Sequence, residues 1–170
     1  MANLHNYHGR YCEAEFESTF LSYLEEAGWS YLAGSSLPRS SMRDVLYTDD
    51  MEFFLNRTNP DLTADEIQQI MDTVRLAGSE SDFATLHKVY DWMVNGIQFT
   101  PQAALPRMVN LIEFEDPEKN VFRAVNQFTV EYTNNGQTQT RRPDILLFVN
   151  GMPLCIICLL YTSDAADDRI

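Results

Sequence analysis

At 170 residues, 45% of them hydrophobic, the chain is long enough to form one domain with a real core. With 25 acidic residues against 12 basic ones its formal charge is -13, which argues against a protein that grips nucleic acid by itself, because phosphate contacts need clustered Lys and Arg. No run approaches the ~18 apolar residues of a membrane span, and Asn3, His5, Asn6 and His8 lack the order of a signal peptide, so a soluble, cytoplasmic protein with no membrane contact is expected.

In chain order, His5, His8 and Cys12 have a spacing compatible with zinc, but no fourth ligand accompanies them and terminal surface residues are the better reading. From Glu13 the pattern is helical: Phe16, Phe20 and Leu24, joined by Leu21 and Tyr23, make one apolar face that Gly28 ends. Trp29, Tyr31 and Leu32 alternate weakly, as a short edge strand does, before the polar loop Gly34 to Pro38. Arg39 and Arg43 could face phosphate, but beside Asp44 they are read as surface ion pairs. Met51 to Arg57 is a short apolar helix that Asn59-Pro60 stops, since a residue before proline is pushed out of the α region. Thr63-Ala64-Asp65-Glu66 has the capping-box form, and Ile67, Ile70, Met71 and Val74 continue it as a helical stripe up to Gly78. Ser81 then caps a second helix through Phe83, Leu86, Val89, Tyr90 and Met93, ending at Asn95-Gly96, and the two are expected to pair as scaffold.

Ile97 to Met108, with Pro101 and Pro106, reads as a connection rather than an element. The period then changes to that of strands: Val109 to Ile112, a long run Val121 to Tyr132, a turn at Thr133 to Gly136, then Arg142 to Val149 and Pro153 to Ile157. Helices first and strands second predict an α+β or mixed α/β fold, with N-terminal helices packed on a mixed, largely antiparallel sheet.

The last two strands flank Asn150-Gly151, a pair that takes positive φ readily and so marks a β-hairpin, expected to be buried. Asp144 opens its first strand directly after Pro143, and a carboxylate at the head of an apolar strand needs a cation, a donor or water. Cys12, Cys155 and Cys158 offer no paired framework and are read as thiols. With His5, His8 and His87 remote in sequence, Cys158 has no partner that would make it a nucleophile.

Arg142-Pro143-Asp144, Leu147 to Gly151 and Pro153-Leu154 resemble the nuclease core of the restriction (R) subunit of type I restriction-modification enzymes, a branch of the PD-(D/E)xK nucleases. Glu17-Ser18-Thr19-Phe20, Arg43 to Leu46, Leu111 to Phe114, Asp116-Pro117, Asn120 and Val125 to Phe128 extend the likeness over about residues 13 to 157. The resemblance implies a restriction-endonuclease-like core and a type I site-specific deoxyribonuclease. It implies Mg²⁺ held by Asp144, with Glu17 approaching the metal. It also implies ATP only in motor domains outside this chain, DNA reached through the full-length complex, and methylation and specificity subunits as partners. In that family a Glu and a Lys close the second strand, at what are here positions 158 and 160; this chain has Cys158 and Leu160.

The tail Cys158-Leu159-Leu160-Tyr161-Thr162-Ser163 resembles a translated transposase-type sequencing adapter, and Thr162 to Ile170 shows no strand or helix period. Residues 1–157 are therefore expected to be an incomplete R-subunit N-terminal domain, and 158–170 a non-native, disordered tail. A soft thiol and an uncharged side chain replace a hard carboxylate and a cation, so the chain as written is expected to be inactive. The alternative is a non-catalytic interaction or regulatory module with a degenerate nuclease fold.

The two-residue period adds a geometric condition. A plain two-residue turn at Asn150-Gly151 sets Asp144 opposite Ile157 and turns position 158 to the other face. Bringing 144 and 158 to one face requires a three-residue loop or a bulge near Pro143 or Pro153.

Overall fold

The computed structural model describes residues 13–78, 83–134 and 136–159; His5, His8, Cys12, Ser81 and Leu160 lie outside them. Helix α1 (Glu13–Glu26) ends where Gly28 takes a φ of 93°. The Gly28 N–H donates to Glu25 O and the Trp29 N–H to Leu24 O, both at about 3 Å, closing the last turn on its own carbonyls. The chain then enters β1 (Ser30–Ala33), passes a short 3-10 turn at Gly34–Ser36, and forms α2 (Thr48–Thr58), α3 (Ala64–Gly78) and α4 (Phe83–Asn95). The strands follow: β2 (Ile97–Phe99), β3 (Arg107–Val109), β4 (Phe122–Asn126), β5 (Val130–Asn134), β6 (Gln137–Arg141), β7 (Ile145–Val149) and β8 (Met152–Ile157).

The fold is α+β. The main sheet has four strands in the order β1-β4-β7-β8, with β1 parallel to β4 and the other two pairings antiparallel. Alternation decides what each face meets. Ala124 and Ile145, with Leu147 and Ile157 beside them, lie against Leu21, Phe20 and Leu24 of α1. Val125, Leu146 and Phe148 face the opposite way, against Leu37 and Phe128. The largest apolar cluster lies beyond the hairpin tip, where Met51, Phe54 and Leu55 of α2 pack with Ile67, Ile70 and Val74 of α3 and with Met152.

Two local devices hold these layers. The capping box forms as its spacing requires: the Thr63 N–H donates to Glu66 Oε2 at 2.8 Å, and the Glu66 N–H to Thr63 Oγ1 at 3.3 Å. Glu66 also accepts the Gln102 N–H at 2.8 Å, so one carboxylate joins the start of α3 to the loop after β2. These backbone donors, Thr63 first and then Gln102, hold its pKa below the usual carboxylate range. At α2, Arg123 grips Asp50 through Nε and Nη2 at 2.5 and 2.6 Å, tying the helix to β4. Hydrogen bonding to Asp50 raises the Arg123 pKa.

Several expectations are corrected. Ile97 to Met108 contains strands: Ile97–Phe99 pairs antiparallel with Arg107–Val109, and the two prolines sit in the loop between. The strand expected from Val109 to Ile112 stops at Val109 and stays out of the main sheet. The long run Val121 to Tyr132 is two strands in two sheets, because Gln127 takes a φ of 53° and turns the chain. The second piece continues into a two-stranded ribbon with Gln137–Arg141, an all-exposed polar strand that carries no apolar period. β7 starts at Ile145, so Arg142 to Asp144 approach it as a linker. The stripe expected to bury α4 is largely open, with Phe83, Leu86 and Tyr90 exposed, and the helix packs through Trp92 and Met93. Phe16 and Tyr23 are likewise exposed on α1. The hairpin is buried on its first strand and at Met152, but Leu154, Cys155 and Ile156 are exposed on edge strand β8, and Cys155 and Cys158 are free thiols.

Candidate active site

The site residues take their places from the β7-β8 register. Asn150 and Gly151 have φ values of 50° and 76° and pair Val149 directly with Met152, a two-residue turn whose twist suits the strands. Farther from the tip, Phe148 pairs with Pro153 but Leu147 pairs with Cys155, so Leu154 is an extra residue in β8. That bulge is the irregularity expected near Pro153. Past the bulge the register runs Leu147 to Cys155, Leu146 to Ile156 and Ile145 to Ile157, and Asp144 and Cys158 lie just beyond the last pair. Proline is tolerated there because edge strand β8 has no neighbour on its outer side among the described residues.

The tip is held by more than turn preference. Asn150 is fully buried; its Oδ1 accepts the Val121 N–H at 2.7 Å, and its Nδ2 donates to Leu111 O at 2.9 Å and Asn120 Oδ1 at 2.7 Å. The Tyr47 N–H donates to Gly151 O at 2.8 Å, and a Cβ at Gly151 would lie 2.0 Å from Tyr47 O. Only glycine fits that approach.

Asp144 is half-buried at the opposite end. Its Oδ2 accepts the Leu159 N–H at 2.6 Å and its carbonyl accepts the Gln127 N–H at 3.0 Å. It directly precedes β7, whose Leu146 and Phe148 face away from α1. Glu17, on α1, accepts from Asn126 Nδ2 at 2.5 Å and from Gln127 Nε2 at 2.8 Å, and the Tyr31 hydroxyl donates to Asn126 Oδ1 at 3.1 Å. Glu17 and Asp144 are thus linked through Gln127, whose side chain binds one and whose backbone binds the other. They do not form one ligand set: among the described residues no group of three or more His, Cys, Asp or Glu side chains could hold a metal.

The donor set does not suit Mg²⁺, which takes hard oxygen ligands in octahedral array. Asp144 offers one carboxylate with an oxygen already engaged, Glu17 is held by two carboxamides, and Cys158 is an exposed thiol. Among the described residues Arg39 is in no surface ion pair either. Its Nη1 donates to Thr129 O at 2.8 Å and its guanidinium lies 4.1 Å from the centre of the Phe128 ring. Burial lowers its pKa, against the opposing influence of Asp44. Asp44 itself accepts from Ser40 Oγ.

Sequence patterns assigned no role to Gln127 or to the Asp50–Arg123 pair, and showed Asn150 only as a turn residue. Asn126 and Gln127 stood out as polar residues beside a strand, and Arg123 interrupts the apolar run Phe122-Arg123-Ala124-Val125; those were the available signals. Asp50 and Arg123 are 73 positions apart, and no local pattern joins them.

Comparison with known proteins gives the family of this α+β chain. The family model described as type I restriction enzyme R protein N terminus matches residues 10–159, and the chain belongs to that family. It is 33% identical over 150 residues to a putative type I restriction enzyme MjaIXP endonuclease subunit of Methanocaldococcus jannaschii, covering 82% of this chain. It is 28% identical over 158 residues to the type I restriction enzyme HindI endonuclease subunit of Haemophilus influenzae, covering 85% of this chain. In each case the match spans only 14% of the relative's length. Among the described residues no helix is long and apolar enough to cross a membrane.

Proposed function

We propose that this chain is the nuclease portion of a DNA-cleaving R subunit, and that Asp144 is the carboxylate around which its phosphodiester-hydrolysing site is built. The observation that supports the reading is the bulge at Leu154, which shifts the register so that the ladder ends on Ile145 and Ile157, with Asp144 and position 158 next in line. Bulges beside active sites re-aim side chains in this way. Glu17 enters as a positioning group: through Gln127 it steadies the backbone at Asp144. The motor domains that use ATP, the methylation and specificity subunits, the cytoplasmic setting and Mg²⁺ belong to the same proposal, on the strength of the family.

The chain as written does not complete that site. Cys158 supplies no hard oxygen where a second carboxylate is needed, and Leu160 supplies no cation. We assign residues 158–170 to an adapter-derived tail. The substitution at 158 also favours a second reading, a non-catalytic module that has lost its chemistry.

One set of variants separates the two. The 170-residue chain should show no Mg²⁺-dependent DNA cleavage. A full-length subunit carrying Glu at 158 and Lys at 160, assembled with its partner subunits, should cut DNA, and Asp144→Ala in it should abolish cutting while sparing assembly. Full cleavage by the alanine variant, or none by the parent of that pair, would defeat the proposal.

A further inference from the structure

A cleft of about 620 Å³ opens on the side of Leu37, which packs on Leu146 and Phe148, between the loop after β1 and the kink after β4. Its lining includes Gly34, Ser35, Arg39, Ser41, Gln127 and Arg142. Its only charged lining residues are Arg39 and Arg142, in a chain of net charge -13. Four other cations, Arg75, Arg107, Lys119 and Arg123, each lie within 3.3 Å of an aspartate oxygen. Among the described residues neither Arg39 nor Arg142 makes such a pair. The loop's own carboxylate, Asp44, is taken up by Ser40.

The backbone shapes the cleft. A Cβ at Gly34 would lie 2.6 Å from Asn126 O, so glycine lets the loop seat directly on the end of β4. Arg39 is fixed by Thr129 O and the Phe128 ring, which presents a guanidinium without further loss of side-chain freedom. Arg142 is exposed and two residues before Asp144. Two extended residues span about 7 Å.

From this we infer that the cleft holds backbone phosphate of the DNA strand next to the scissile bond, with Arg39 as the fixed anchor and Arg142 as the mobile one. Guanidinium forks match phosphate oxygens in pairs, and the serine hydroxyls can donate to the same backbone; such contacts set register and carry no base preference. The inference rests on the proposed nuclease reading. It also fits an acidic module that by itself binds duplex only weakly and at low salt, with other domains supplying most of the hold.

The test uses the 170-residue chain, ¹⁵N-labelled, titrated at low salt with a 12-base-pair duplex and separately with inorganic phosphate. Duplex-induced shifts should gather at residues 34–42, Asn126, Gln127 and the Nε–H groups of Arg39 and Arg142. Arg142→Gln should reduce the slope of log affinity on log salt by about 0.9, and so weaken binding about tenfold near 0.05 M salt. Lys88→Gln on α4 should leave the slope alone. Arg39→Lys keeps the charge but not the fork, and should weaken binding with the fold intact by amide spectrum. Shifts centred elsewhere, no shifts at all, an unchanged slope in Arg142→Gln, or phosphate saturating the same amides as tightly as duplex would each overturn the cleft as a DNA-backbone site. None of these results bears on Asp144-dependent cleavage by the assembled enzyme, so the two proposals fail separately.

Discussion

Replacing Asn150 tests whether the hairpin tip is held by its turn conformation or by its buried hydrogen bonds. Asn150→Ala removes the acceptor for the Val121 N–H and the donor for Leu111 O, and Leu111 is buried. At ~1–3 kcal/mol for each of the two backbone groups left unpaired, and about 1 kcal/mol for alanine at positive φ, the loss should be about 3–7 kcal/mol. Asn150→Gly makes the same deletions without the conformational penalty and should retain about 1 kcal/mol more. Asn150→Asp keeps Oδ1 but turns a carboxylate oxygen toward Leu111 O and Asn120 Oδ1, two acceptors. That carboxyl should titrate above its unfolded value of ~3.9. Its contribution is then fully present below the unfolded value and lost as pH rises through the folded one. Urea midpoints followed by tryptophan fluorescence at constant m measure all three variants, with the aspartate variant compared between neutral and mildly acid pH. An alanine variant within 1 kcal/mol of the parent, or a glycine variant less stable than alanine, would refute the reasoning.

Two further outcomes follow. Because the Glu66 pKa is depressed by donation from Thr63 and Gln102, its contribution is full above the ordinary value of 4.5 and is lost as pH falls through the depressed one. Thermal midpoints of Glu66→Gln should therefore lie below the parent's at neutral pH and converge with it in acid; parallel curves would count against the pairing. Source DNA read across codon 157 should encode Glu at 158 and Lys at 160 in a longer frame with helicase motifs. A clean read reproducing Cys158-Leu159-Leu160 and a stop after Ile170 would instead support the degenerate module.

What was legible in the sequence was chiefly local. Thr63 and Glu66 lie three residues apart, and their reciprocal bonding depends on nothing else in the chain. Asn150-Gly151 likewise specifies a turn within four residues. The bulge was accessible only by joining the turn to the requirement that 144 and 158 share a face, because Leu154 looks like any strand residue. Gln137–Arg141 was invisible because a strand exposed on both sides has no alternation to read. The stripe on α4 was seen, but periodicity reports that a helix has two unlike faces and not which one meets the core. Gln127 shows a different limit: its left-handed backbone follows from the Asp144 carbonyl and the Glu17 carboxylate, partners 17 and 110 positions away that no window contains.

The two hairpin tips differ in a way that bears on how this domain can vary in length. At Gly136, between β5 and β6, an added Cβ would meet nothing within 4 Å, and every residue of β6 is exposed. That ribbon is a natural place for inserted peptides, affinity tags or reporter loops. The tip at Gly151 is seated against the Tyr47 carbonyl and has no such room. A single-residue insertion or deletion between it and position 158 would also reverse every side chain beyond the change. Length variation in β8 is therefore restricted to even steps or to changes that keep Leu154 as the odd residue, while the neighbouring ribbon is free to drift.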